Sequence, residues 1–244
     1  MRILIPMAGR GKRFEEAGYS FPKPLIDVNG KTMIQVIVEN LNFSAEHIFI
    51  CQKEHFERYS LKEHLELISP KCKIIQVNEL TEGAACTALL AKEFINNDEE
   101  LIIANSDQWI DWNNQHFLSF VRNNNADGGI VTFIATHPKW SFIKINDECK
   151  VTEVAEKRPI SNIATVGIYY FKRGKDFVES AEQMIKKNIR TNNEFYIAPV
   201  YNEMIESGKT IVHYPIAEMR GMGTPEDLKV FLEKINKKIR AVES

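Results

Sequence analysis

Hydrophobic runs and amphipathic stretches alternate through the first half of the chain. Short apolar runs closed by glycine or polar residues indicate buried strands at residues 2–7, 47–51, 73–77 and 100–104. Apolar positions at helical spacing indicate helices between them, at residues 32–41, 53–68 and 84–95. This alternation predicts a Rossmann-like α/β fold with a mixed, mostly parallel central sheet flanked by helices. Ligands of such sheets bind at the carboxyl ends of the strands.

The pattern changes after residue 125. Strand-like runs now follow one another with little helix between them, at residues 129–137, 140–145, 151–155 and 164–171. Helices at residues 177–187 and 195–207, a strand at residues 210–214 and a helix starting at Thr224 complete the chain. Thr224 is a typical helix N-cap, because a proline and two acidic residues follow it. We expect a second, antiparallel lobe joined to the first.

Composition narrows the class of protein. The 244 residues are 44% hydrophobic and 26% charged, with a net charge of -2, which is ordinary for a folded chain. Neither nucleic acid nor a membrane surface is expected as a partner, because no basic excess exists and no apolar run approaches the length of about 18 residues that spans a bilayer. The opening apolar run is too short for a signal peptide. The cysteines are scattered, without a C-x-x-C pair, which favours a reducing cytoplasm over a disulfide or zinc framework: Cys51, Cys72, Cys86 and Cys149.

The loop after the first strand carries the strongest chemical signal. It reads Met7-Ala8-Gly9-Arg10-Gly11-Lys12-Arg13, and its glycines, free amides and basic side chains suit a polyphosphate. It matches neither a Walker A loop nor a dinucleotide fingerprint. On the glycine spacing alone, a solvated turn is an equally good interpretation. Lys23 changes the balance, because Pro22 and Pro24 hold it on a stiff backbone, as a phosphate clamp requires.

Together, Ala8-Gly9-Arg10-Gly11-Lys12-Arg13 and Pro22-Lys23-Pro24-Leu25 resemble the opening of the sugar nucleotidyltransferases, the nucleoside-diphosphate-sugar pyrophosphorylases of the glycosyltransferase-A-like fold. The resemblance covers nearly the whole chain and is closest to short, capsule-associated members. Further segments resemble the family at residues 82–85, 102–107, 153–159, 164–171, 193–196 and 223–228. It implies one domain over residues 1–244, with a nucleotide-binding half (1–125), a sugar-phosphate-binding half (126–223) and a C-terminal helix (224–241).

The resemblance also implies a reaction. A nucleoside triphosphate and a sugar 1-phosphate, or a related phosphorylated polyol, give a nucleotide sugar and pyrophosphate for bacterial capsule or surface polysaccharide. The attacking phosphate is already an anion, so the work is positioning and charge neutralisation. By motif, Arg13 holds the β- and γ-phosphates, Lys23 contacts the α-phosphate and Asp107 holds Mg²⁺. The backbone around the loop cradles the triphosphate, at Ala8, Gly9, Arg10, Gly11 and Lys12.

The remaining expected site residues lie later in the chain. Lys157 is expected to grip the sugar phosphate, and Glu156 and Glu194 the sugar hydroxyls, although Glu156 and Lys157 could equally be a solvated pair. Trp140 is interpreted as a wall of the sugar site, with a role in covering the core as the alternative. Gly83 and Asn78 are candidates for reading the base, and for Asn78 a plain turn is favoured.

Two departures from the family leave questions open. Gly221 stands where many relatives have a second metal-binding Asp, so either Asp107 anchors the metal alone or another carboxylate, such as Glu218, takes part. Ser141 stands where the family has glycine, which crowds the acceptor pocket. A glycosyltransferase using a nucleotide-sugar donor and an inactive scaffold subunit are the competing functions. The sequence leaves open the nucleotide (CTP, UTP, dTTP or GTP), the acceptor and whether the chain is a homo-oligomer.

Overall fold

A computed structural model describes the backbone of residues 1–242 and the side chains of residues 1–235. The strands are β1 Arg2–Pro6, β2 Asp27–Val28, β3 Lys31–Thr32, β4 Glu46–Gln52, β5 Lys73–Val77, β6 Leu101–Ala104, β7 Gln108–Asp111, β8 Gly128–Ile134, β9 Ser141–Ile145, β10 Val151–Glu156, β11 Ile163–Phe171, β12 Ile211–Pro215 and β13 Glu218–Gly221. The helices are α1 Lys12–Glu16, α2 Met33–Leu41, α3 Lys53–Arg58, α4 Leu61–Ile68, α5 Ala84–Leu89, α6 Lys92–Ile95, α7 Asn114–Asn123, α8 Gly174–Lys186, α9 Val200–Glu206 and α10 Pro225–Val242. A short 3-10 helix spans Lys23–Leu25.

One nine-stranded sheet runs through the molecule, in the order β10-β9-β11-β6-β1-β4-β5, with β8 beside β11 and β12 beside β8. Strands β6, β1, β4 and β5 are parallel, as the apolar runs predict. Strand β11 pairs antiparallel with β6, from Ile168 opposite Ala104 to Phe171 opposite Leu101. The predicted α/β fold is therefore confirmed, and the antiparallel strands extend the central sheet instead of forming a separate one.

Apolar cores cover both faces of the sheet. Ile3 and Ile5 of β1 point into one core, and Leu4 points into the other, because side chains alternate along a strand. All three are fully buried. Burying a side chain of this size contributes about 1.5–3 kcal/mol of hydrophobic stabilisation. Because both faces of the sheet are buried, the parallel strands are continuous apolar runs in the sequence.

Three predicted helices are wrong in their extent. The predicted helix 53–68 is two helices, α3 and α4, because Ser60 has a left-handed backbone with φ 48°. The predicted helix 84–95 divides into α5 and α6 where Leu90 and Ala91 form tighter i−3 turns. The predicted helix 195–207 starts only at Val200, because Pro199 disfavours helix in the residue before it.

The sequence pattern also missed α7 and the pairing of β7 with β13. These strands lie next to the end of β6, with Gly221 opposite Gln108. Helix α10 then begins after Thr224, whose hydroxyl accepts a hydrogen bond from the Asp227 amide at 3.1 Å, so the predicted N-cap is present. Residues 243 and 244 of the expected domain lie outside the described part of the chain. Over the described residues, no helix combines the length and the apolar character needed to cross a membrane.

Candidate active site

A cleft opens where β1 and β6 end, and two adjoining cavities occupy it. We call the first the loop cavity, because the loop after β1 lines it; its volume is about 420 Å³. We call the second the strand cavity, because β9, β10 and β11 line it; its volume is about 550 Å³. Both cavities are lined by Lys23, Ala84, Asn105, Asp107 and Tyr196. The site therefore lies at the carboxyl edge of the parallel strands, as the fold predicts.

The loop after β1 borders the loop cavity and a small neighbouring pocket. Ala8, Gly9 and Arg10 line the loop cavity. The side-chain amide of Gln52 donates a hydrogen bond to the Ala8 carbonyl at 2.8 Å. Gly11 has φ 65°, which favours glycine, and a Cβ there would lie 3.3 Å from the Cβ of Lys23. The exposed Lys12 and Arg13 line a small pocket beside Gly11, Lys23 and Gly223, and Arg13 also reaches the strand cavity.

Lys23 and Asp107 meet at the junction of the two cavities. The ammonium nitrogen of Lys23 lies 2.5 Å from Oδ2 of Asp107, and both side chains are about one-fifth exposed. Lys23 begins the 3-10 helix between its two prolines, and Asp107 follows β6. The Asp107 carbonyl accepts a hydrogen bond from the Met222 amide at 2.7 Å, so β13 also fixes its backbone.

The strand cavity brings together three predicted residues. The Ser141 hydroxyl donates to the carboxylate of Glu156, and burial raises the pKa of Glu156 above its ordinary value. Lys157 has φ 53°, which is rare for a lysine, and its amide donates to the Trp140 carbonyl at 3.0 Å. The Trp140 ring stands edge-on to Phe133, so Trp140 serves both as cavity wall and as packing.

Gly83 lets two loops pack backbone against backbone. The Phe195 amide donates to the Glu82 carbonyl at 2.8 Å, and the Ala85 amide donates to the Phe195 carbonyl at 2.9 Å. A Cβ on Gly83 would lie 2.5 Å from the Phe195 nitrogen, and φ is 132°. Gly83 lines the loop cavity. The close approach of the Phe195 backbone explains why this residue is a glycine.

Two predicted residues lie elsewhere than expected. Asn78 is exposed and does not line the loop cavity; its neighbours Val77 and Glu79 do. Side chains alternate at the end of β5, so Val77 faces inward while Asn78 faces solvent, which agrees with the turn alternative. Glu194 lines the loop cavity instead of the strand cavity.

The carboxylates near Asp107 decide which groups could hold a metal ion. Glu218 is already engaged by the Arg220 guanidinium, at 3.0 and 2.7 Å, which lowers the pKa of Glu218 to about 2. The carboxylate nearest Gly221 is instead that of Asp227. Its Oδ2 lies 3.7 Å from the position that a Cβ on residue 221 would take.

The strand cavity is lined by Asp107 and Asp227, whereas Glu218 is not among its lining residues. Among the described side chains, no group of three or more His, Cys, Asp or Glu could hold a metal. Magnesium in phosphoryl-transfer sites takes one or two carboxylates plus substrate phosphates, so the donor set fits it.

Tyr196 and Asp227 are not among the predicted site residues, although both lie in segments that resemble the family, at residues 193–196 and 223–228. Their proximity to the site comes from loop packing and from the return of β13. Both line the strand cavity.

A model of the nucleotidyl transferase family matches residues 3–237. The chain belongs to this family. Among characterised nucleotidyl transferases, it is 26% identical to the bifunctional protein GlmU of Methanocaldococcus jannaschii over 98% of this chain and 56% of that protein. The chain thus spans about half the length of this relative.

Solved structures share the fold of this chain. A nucleoside-diphosphate-sugar pyrophosphorylase from Vibrio cholerae RC9 matches with a TM-score of 0.81 and 28% identity, covering 95% of this chain and 99% of that one. A UDP-glucose pyrophosphorylase complexed with UDP-glucose matches with a TM-score of 0.77 and 19% identity, covering 97% and 98%, which shows the shared fold alone. The predicted membership of the nucleotidyl transferase family is confirmed.

Proposed function

We propose that this nucleotidyl transferase catalyses the Mg²⁺-dependent reaction of a nucleoside triphosphate with a sugar 1-phosphate, or a related phosphorylated polyol, to give a nucleotide sugar and pyrophosphate. The observation that carries the proposal is the pairing of Lys23 with Asp107 where the two cavities meet. A cation and a carboxylate shared by two adjoining cavities are what a phosphoryl transfer between two phosphorylated substrates requires.

The reaction needs no general base. An oxygen of the acceptor phosphate attacks the α-phosphorus, the α–β bridging bond breaks, and pyrophosphate leaves opposite the incoming oxygen. Lys23 neutralises charge that builds on the α-phosphate, and the exposed Arg13 binds the β- and γ-phosphates and the departing pyrophosphate. Asp107 would hold Mg²⁺, which would supply positive charge to offset that of the phosphate oxygens.

The two cavities divide the substrates. The loop cavity takes the nucleotide, with residues 8–10 beside the triphosphate and Gly83 beside the base, and Gly11 and Lys12 extend the phosphate site from the small pocket next to Lys23. The strand cavity takes the acceptor, with Lys157 on its phosphate, Glu156 on a hydroxyl and Trp140 as a wall. The Ser141 hydroxyl bound to Glu156 occupies space in the strand cavity and favours a compact acceptor. Glu194 lines only the loop cavity, so it lies on the nucleotide side of the proposed site.

We further propose that one domain, with residues 1–125 as its nucleotide half and residues 126–223 as its acceptor half, performs this reaction. Its product serves bacterial capsule or surface polysaccharide, in the cytoplasm. The motif resemblance to short capsule-associated members supports the pathway, and the scattered cysteines support the compartment. A homo-oligomer remains compatible with these roles.

Pyrophosphate release tests the proposal directly. CTP, UTP, dTTP, GTP and ATP are each incubated with Mg²⁺ and a pool of sugar 1-phosphates and phosphorylated polyols, with Lys23→Ala in parallel. We expect release with one nucleotide, lost in the variant. Release of a nucleoside diphosphate, in place of pyrophosphate, from a nucleotide sugar and an acceptor alcohol would establish a glycosyltransferase. Absence of both turnover and nucleotide binding would establish a scaffold.

A further inference from the structure

Tyr196 stands at the boundary between the two cavities. It lines both the loop cavity and the strand cavity, and it is partly exposed to each. The hydroxyl of Tyr196 accepts a hydrogen bond from the ammonium of Lys157, and that ammonium also lies 4.5 Å from the centre of the Tyr196 ring. The ammonium therefore lies beside the hydroxyl end of the ring, and the hydrogen bond is the contact that holds it.

The backbone of Lys157 makes this contact directional. The left-handed backbone of Lys157 and the hydrogen bond from its backbone amide to the Trp140 carbonyl fix where the side chain starts. Tyr196 fixes where the side chain ends. An ammonium has three donors, so the bond to Tyr196 leaves two for an incoming anion.

The segment that carries Tyr196 is fixed by backbone contacts. Burial, and then the neighbouring Glu194 carboxylate, raise the pKa of the Tyr196 hydroxyl above its ordinary value. The residue before it, Phe195, is bonded through both its amide and its carbonyl to the Glu82–Ala85 loop, and Gly83 permits that contact.

We propose that Tyr196 is a positioning residue that aims the Lys157 ammonium at the phosphate monoester of the acceptor. This inference rests on the proposed function and deepens it, because it names the group that sets acceptor affinity. Tyr196 touches no reacting atom. Its contribution is to hold a long, flexible cation in one place before the anion arrives, which reduces the entropy that binding must otherwise cost.

Kinetics give the first test. In Tyr196→Phe the ring stays and the hydroxyl is lost, so we expect the acceptor KM to rise about tenfold, with the nucleotide KM and kcat within about twofold of wild type. In Tyr196→Leu the hydroxyl is lost together with the ring beside the Lys157 side chain, and the acceptor KM should rise further. A fall in kcat with an equal rise of both KM values would indicate a merely structural role and would overturn the proposal.

A chemical test needs no turnover. Acetic anhydride at low stoichiometry labels lysines, and mass spectrometry of the Lys157 peptide reports its reactivity with and without inorganic phosphate. We expect phosphate to protect Lys157 in the wild type and to require about tenfold more phosphate in Tyr196→Phe. Equal protection in both proteins, or none in the wild type, would contradict the proposal.

Tyr214→Phe is the matched control, because the Tyr214 hydroxyl also makes one side-chain bond, to Nδ1 of His116 at 2.7 Å, and lies outside both cavities. It should match wild type in both assays. If the wild type turns over none of the substrate pool while Lys157 behaves as expected, the proposed function fails and the role of Tyr196 in holding Lys157 stands. If the wild type turns over substrate and Tyr196→Phe behaves like wild type in both assays, the proposed function stands and the role of Tyr196 fails.

Discussion

The ammonium of Lys23 and the carboxylate of Asp107 meet at 2.5 Å, although the two residues are 84 positions apart in the chain. The lysine comes from a proline-flanked turn and the aspartate from the end of a parallel strand. The fold thus places the cation proposed to bind phosphate next to the carboxylate proposed to bind magnesium.

Removing this cation should affect catalysis far more than stability. In Lys23→Ala we expect kcat to fall by about 10²-fold or more, because charge on the α-phosphate is left uncompensated. The melting temperature should stay near that of wild type, since partly exposed ion pairs contribute about 0–1 kcal/mol. Lys31→Ala removes an exposed pair with Glu39 of 2.6 Å and should leave turnover intact. Equal losses in both variants would argue against a special role for Lys23.

Gly83 should be intolerant of a side chain. Gly83→Ala puts a Cβ 2.5 Å from the Phe195 nitrogen and at φ 132°, so we expect about 1–3 kcal/mol of destabilisation in urea unfolding. Gly9→Ala is the stability control, because no atom lies within 4 Å of its added Cβ. An unchanged free energy of unfolding in Gly83→Ala would mean that the two loops separate readily.

Gly221 and Gly223 should respond differently to alanine. In Gly223→Ala the new Cβ would lie 2.9 Å from Oδ2 of Asp107 and displace that carboxylate, so a higher Mg²⁺ concentration should be needed for half-maximal rate, with about tenfold lower activity. In Gly221→Ala the nearest atoms lie 3.7–3.8 Å away, an ordinary contact, and the Mg²⁺ dependence should hardly change. Initial rates against Mg²⁺ concentration check both, and a larger effect at Gly221 would refute the assignment of Asp107.

His47 should make stability depend on pH. Burial lowers its pKa from 6.5 to about 4, and its Nε2 has no hydrogen-bond partner. The unfolded chain therefore binds the proton more readily than the folded chain. The free energy of unfolding is unaffected by His47 above pH 6.5, and it falls by up to about 3 kcal/mol as the pH is lowered towards 4. Urea unfolding across this range should show a shallower slope in His47→Asn, while the exposed His137→Asn should keep that of wild type. A slope unaffected by His47→Asn would assign the dependence to other groups.

Much of the central sheet could be predicted, because parallel strands bury both faces. Residues 3–5 and 101–104 are apolar without interruption, and no helical pattern competes with them. Lys23 stands out in the sequence because prolines flank it, whereas the role predicted for Asp107 comes from the resemblance of its strand to the family. Their meeting at the junction of the cavities follows from the fold.

The rest depends on contacts between distant segments. Nothing in the sequence around Ser60 signals a left-handed residue, so the division of α3 from α4 is visible only in three dimensions. Tyr196 gains its place from the packing of Phe195 on the Gly83 loop, and Asp227 gains its place from the space at Gly221. Side chains brought together in this way leave no periodic pattern to detect.

Strand β11 has a consequence for how the chain is made. It is the strand that gives β6 its second neighbour, through residues 168–171, and it also carries β8 and β9. A nascent chain that has emerged from the ribosome only as far as residue 125 holds β6 with one edge open, and an open apolar edge invites pairing with other chains. The strands of residues 1–125 in the central sheet therefore gain their last neighbour only after synthesis has passed residue 171, where β11 ends.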